Sequence, residues 1–147
     1  MCSSDLASQV VVSKAGGFRE ISLLKPAHVY DLGTGKYLGK VRKFSFELAP
    51  AVGRVFALTQ EKAPVPDVNI PSALAYGKTA EFRIKNVSNP CHVTIISPDG
   101  KTVFEQNVKA KGMFRFIPSF ELPAGAYKVS VKNVVGGLEK KFNINLK

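Results

Sequence analysis

Side-chain catalysis needs a nucleophile beside a base, paired carboxylates in a cleft, or a cluster of metal ligands. This chain offers isolated candidates for each. Its two histidines, His28 and His92, have no acidic residue beside them in sequence, so each reads as an ordinary strand histidine rather than a base or metal ligand. Asp31-Leu32-Gly33-Thr34-Gly35 has the Asp, Thr and Gly of an aspartic protease triplet, but Leu32 stands where the motif needs Thr and no second copy follows. A turn-forming aspartate accounts for it. Gly33 to Lys36 lacks the GxxxxGK[ST] spacing of a phosphate loop, and Tyr37 stands where a hydroxyl residue would hold magnesium.

The remaining candidates are equally local. Cys2 and Cys91 form neither a CxxC pair nor a zinc spacing, and Cys91 after Pro90 reads as a small buried hydrophobe. Asp99-Gly100 supplies one carboxylate where calcium takes six to eight oxygens. Asn86-Val87-Ser88 fits a glycosylation acceptor, which matters in a eukaryotic secretory host. The expectation is therefore no catalytic residue, no cofactor and no metal in this chain. Sugar binding would need exposed aromatic platforms; with Trp absent, Tyr37 and Tyr76 are the candidate carbohydrate contacts.

The elements that would position these residues are strands. Tyr30 to Leu32 and Tyr37 to Val41 flank Gly33-Thr34-Gly35-Lys36, where Gly33 and Gly35 are expected to supply the positive φ of a tight hairpin. Lys43 to Leu48 alternates strictly, with Phe44, Phe46 and Leu48 on one face. Ala49 to Gly53 breaks it, and Arg54 to Leu58 is expected to return as a second hairpin. Upstream, Gln9 to Ser13 and Phe18 to Leu24 read as strands, the latter closed by Lys25-Pro26. That makes about six strands in the first sixty residues, a thin core for a closed sandwich.

Glu61 to Asp67 carries two prolines and no periodicity, the composition of a short stiff linker. Beyond it, about seven short strands recur at sandwich spacing. Pro98-Asp99-Gly100 is a strong hairpin signal, with Gly100 at the position that wants positive φ. Leu122 to Tyr127 looks like the corner at which a tyrosine hydroxyl bonds back to the backbone, so Tyr127 is expected to be structural. The expected fold is all-β. It has two β-sandwich modules, the first (7–60) truncated, and the second (68–147) Ig- or fibronectin-III-like with about seven strands, joined by a linker at 61–67.

The net charge of +10 could suit an acidic polymer or an anionic membrane surface. Residues 1–62 carry 9 basic and 5 acidic groups, leaving 12 and 6 of the 21 and 11 for the rest, so the charge is dispersed. Neither nucleic acid nor a membrane is expected as a partner. A nucleic-acid surface built on Lys40-Val41-Arg42-Lys43 beside Phe44 is the least favoured alternative.

Met1-Cys2-Ser3-Ser4-Asp5-Leu6 resembles, residue for residue, the translation of a sequencing-library adapter (GTG TGC TCT TCC GAT CT), and is expected to be a non-native leader on a frame that opens within a gene. Val29-Tyr30-Asp31-Leu32, Thr34-Gly35-Lys36-Tyr37-Leu38-Gly39, Leu48-Ala49-Pro50 and Val55-Phe56-Ala57-Leu58 together resemble the closing β-domain of multidomain glycoside hydrolases of the β-galactosidase-like, trimerisation-domain group. An Ig-like module often follows in such proteins. The resemblance implies a secreted or periplasmic parent that cleaves glycosides with two barrel carboxylates. This region would be a non-catalytic accessory, whose partner is a catalytic domain missing upstream. No catalytic residue can be carried over, since Asp31 and Lys36 match the motif only at a turn. An independent module binding polysaccharide or a cell surface is the alternative.

Overall fold

The computed structural model describes residues 16–147 and the backbone of strand 7–12; residues 1–6 and 13–15, and with them Cys2 and the proposed leader, lie outside the described residues. Every described element is a strand, so the protein is all-β. The chain divides into two compact units, residues 1–63 with 135–137, and residues 64–134 with 138–147.

Unit 1 contains β1 (Ala7–Val12), β2 (Gly17–Asp31), β3 (Lys36–Leu48) and β4 (Gly53–Thr59). They form one antiparallel sheet in the order β1-β4-β2-β3. The first expected hairpin is present, with Tyr30 opposite Tyr37 and Asp31 opposite Lys36. Of its two glycines only Gly35 takes positive φ, at 69°. Gly33 instead donates its N–H to Asp31 Oδ1 at 3.0 Å, so the positive φ expected of it is corrected to a hydrogen-bonding role.

Two further expectations are corrected. The strand expected to close at Lys25-Pro26 runs on to Asp31, because the ladder jumps from Ser22–Lys43 to Ala27–Val41 and the intervening bulge absorbs the proline, which has no N–H to donate. Arg42 Nε clasps that bulge by donating to Leu23 O at 3.3 Å. The expected hairpin between 43–48 and 54–58 is not one either. β3 pairs only with β2, while β4 is inserted between β1 and β2. The two segments meet through side chains: Phe56 lies 5.0 Å from Phe44 and 4.7 Å from Phe46, ring to ring. Ala27, Val29, Leu48 and Leu58 complete this core.

Unit 2 contains β5 (Asp67–Asn69), β6 (Ala80–Lys85), β7 (Cys91–Ile96), β8 (Thr102–Val108), β9 (Met113–Phe116), β10 (Gly125–Asn133) and β11 (Glu139–Leu146). These seven strands form two sheets, β5-β6-β9 and β11-β10-β7-β8. The fourth strand of the unit, β8, joins the sheet of β7, so the division is three and four instead of the four and three of an immunoglobulin constant domain. Alternation places Ala80, Phe82 and Ile84 of one sheet, and Tyr127, Val129 and Val131 of the other, in a single core. Phe82 and Phe114 stack nearly parallel at 4.6 Å. At the β7–β8 turn Gly100 has φ 84° and donates to Ser97 O at 2.9 Å, conformational freedom that only glycine has without strain.

Candidate functional site

The residues singled out for chemistry are spent on structure. Asp31 is 2% exposed; its Oδ1 accepts from Gly33 N and Thr34 N, and its Oδ2 pairs with Arg54. The Arg54 guanidinium also donates to Glu47 O at 3.2 Å and sits 5.8 and 5.7 Å from the Phe46 and Phe56 ring centres. An open hollow lies beside this pair, lined by Asp31, Leu32, Thr34, Val52 and Val55 among others, and its only two charges, Asp31 and Arg54, neutralise each other. It holds no nucleophile–base pair. Sequence reading placed Asp31 at the turn but gave no signal for its partner, 23 residues away.

His28 shares a 2.6 Å hydrogen bond with the Tyr37 hydroxyl, and His92 bonds Asn107 at 2.9 Å and Glu105 at 3.0 Å across the β7–β8 ladder. Cys91 is fully buried, and burial pushes its thiol up to about 11, far from the range of a nucleophilic thiolate. Asn86 stands at φ 51°, its Oδ1 accepting from Asp67 N at 2.8 Å and its Nδ2 donating to Val65 O at 3.2 Å. The amide that glycosylation would use thus fastens residues 65–67 to the end of β6. Among the described residues there is no group of three His, Cys, Asp or Glu placed to hold a metal.

In the basic run of β3, Arg42 is engaged at Leu23 O. Lys43 pairs with Glu20 at 2.8 Å, and Phe44, only 9% exposed, faces the core and offers no ring for a nucleic-acid base.

The two tyrosines considered for sugar contact belong to separate aromatic groups, one in each unit. Tyr37 is 36% exposed; Tyr30 stacks on it at 4.9 Å, His28 at 5.8 Å, and the Lys62 ammonium lies 5.4 Å over the ring. Tyr76 donates its hydroxyl to Leu122 O at 2.9 Å and stacks on Phe120 at 5.8 Å, 14° from parallel. Phe120 itself is 83% exposed. In the sequence, the apolar residues that recur from Met113 to Phe120 read as one strand, which hides this ring. The ladder stops at Phe116, and a turn closed by Leu122 N on Ser119 O turns Phe120 outward.

Tyr127 donates its hydroxyl to Pro123 O at 2.7 Å, in the same loop. Burial, and after it the neighbouring Tyr76 and Asp99, raise its pKa above the usual tyrosine value. Tyr127→Phe removes one hydrogen bond and leaves the ring in place, so urea denaturation should read a loss of about 1 kcal/mol. A loss below a few tenths would mean that the bond contributes nothing net.

No family model and no curated protein matches this sequence. Among solved structures it is similar to the β-glucuronidase of Ruminococcus gnavus in complex with uronic isofagomine, at 12% identity and TM-score 0.35, over 95% of this chain and 34% of that one. It is also similar to Lactobacillus rhamnosus β-glucuronidase, at 12% identity and TM-score 0.34, over 95% and 35%. The chain spans about a third of the length of these enzymes.

Proposed function

We propose that the chain is a non-catalytic accessory region of a larger carbohydrate-active enzyme, bracing a catalytic domain through unit 1. The observation that carries this reading is the outward face of β2, where Phe18 is 76% exposed and Leu24 95% exposed. Each is a large apolar side chain left in water, with Ser22 and the Glu20–Lys43 pair between them, and each would serve as a separate anchor for a contacting domain. The inward face of the same strand, through Ile21 and Leu23, already packs on the core of unit 1, so the outward residues have no work to do inside it. The motif resemblance over residues 28–60 supplies the kind of partner: a glycoside hydrolase catalytic domain.

The test is a long read of unamplified source DNA across the codon for Ala7. An upstream frame encoding a barrel with two strand-end carboxylates would support the reading, because those groups would supply the acid/base and nucleophile absent from the described residues. A native start or an in-frame stop immediately upstream would overturn it.

A further inference from the structure

We infer that Phe120 is a stacking platform in unit 2 for the apolar face of a pyranose ring in a neutral polysaccharide. This goes beyond the bracing role and stands without it, since it needs no catalytic domain.

The loop that carries the ring is fastened at three points. Gly77 N donates to Pro118 O at 2.8 Å, Tyr76 Oη to Leu122 O at 2.9 Å and Tyr127 Oη to Pro123 O at 2.7 Å. The Phe120 ring rests with one side against Tyr76 and its edge over Gly77, where an added Cβ would come within 3.4 Å of Cζ. Its remaining surface is open: the residue is 83% exposed. An apolar ring held in water by that many restraints is ordered before anything binds, so a ligand stacking on it loses little conformational entropy.

The size and surroundings of the platform select the ligand class. A protein partner would have to bury roughly 800 Å² around such a ring, whereas a pyranose covers little more than the ring itself. The residues beside Phe120, Ser119 and Glu121, and Lys78 after Gly77, are exposed and polar, while the loop's other large exposed apolar side chain is Ile117. One flat apolar surface edged by donors and acceptors matches a sugar, whose ring has a C–H face and a rim of hydroxyls. Within unit 2 the loop that carries the platform follows the end of β9. Ala80 at the start of β6 lies opposite Phe116 at the end of β9, whereas Asp67, next to the unit's first residues, pairs with Lys85 at the other end of β6.

The test is affinity electrophoresis of the full chain through gels containing galactomannan, mixed-linkage β-glucan, xyloglucan or pullulan. Neutral polymers are required because the +10 net charge would retain acidic glycans unspecifically. At least one polymer should retard the protein, with Phe120→Ala weakening binding by about tenfold and Phe120→Trp retaining it. Because the ring is largely in solvent, Phe120→Ala should melt with the parent protein, which separates lost contact from lost fold. Retardation by none of the four, or retardation unchanged in Phe120→Ala, overturns the inference.

Discussion

Phe56→Ala is expected to cost unit 1 about 3–5 kcal/mol, the usual range for truncating a buried phenylalanine. Phe56 has no exposed surface, and its ring joins Phe44 and Phe46 of β3 to β4. No ladder links these two strands, since β3 pairs with β2 alone. The far half of β3 is thus held over β4 by side chains: the ring packing, and the Arg54 guanidinium, which lies against Phe46 and Phe56 and donates to Glu47 O. Loss of the ring should do more than lower the unfolding midpoint. Amides of 17–22 and 43–48, which pair only with each other, should exchange faster, while the 28–31 and 56–59 ladder stays protected. An effect below about 1 kcal/mol, or equal loss of protection at both ends of the β2–β3 pair, would sink the idea that packing on Phe56 closes this sheet.

How far the sequence foretold this arrangement depends on the range of the interaction. Period-two alternation correctly assigned the shared face of Phe44, Phe46 and Leu48, because a strand residue's side follows from its neighbours alone. Local turn chemistry gave the hairpin at Gly35 and the turn at Gly100. Partner choice was not legible. Residues 54–58 look like the return strand of a hairpin, yet the ladder they join contains residues 7–12 and 28–31, a decision made by tertiary packing rather than by the loop at 49–53. The bulge that absorbs Pro26 defeated the usual reading of proline as a strand end for a similar reason: it forms against β3, where Lys43 and Val41 pair on either side of it and Arg42, sixteen residues after the proline, donates to Leu23 O. At Phe120 the misleading signal was alternation itself. Met113 to Phe120 keeps apolar residues recurring, but Pro118 lacks a ladder donor and the turn at Ser119 redirects the chain.

The Asp31–Arg54 pair yields the second large effect, and it distinguishes an ion pair from a mere turn. Asp31 is almost wholly buried, whereas the Arg54 side chain is 28% exposed, so truncating the arginine strands a carboxylate that water reaches poorly. Arg54→Ala should therefore cost about 2–3 kcal/mol, somewhat below the 3–5 of a fully buried pair because solvent screens the open side. Two backbone N–H groups still hold Asp31 Oδ1 in the mutant, which also limits the loss. Arg54→Lys keeps the charge but not the planar fork that reaches both Asp31 and Glu47 O, and should recover about half of the loss. The decisive measurement is the cycle of Arg54→Ala with Asp31→Asn by urea denaturation. Once Asp31 is neutral there is no stranded charge, so the double variant should be more stable than the sum of the single losses by about 1 kcal/mol or more. Additive losses would mean that Asp31 acts only as a turn former and Arg54 only as a cover over Phe46 and Phe56. A cycle of Arg54→Ala with Phe56→Ala addresses that second part: guanidinium–ring attraction of about 0.5–1 kcal/mol should appear as coupling there even if the carboxylate cycle shows none.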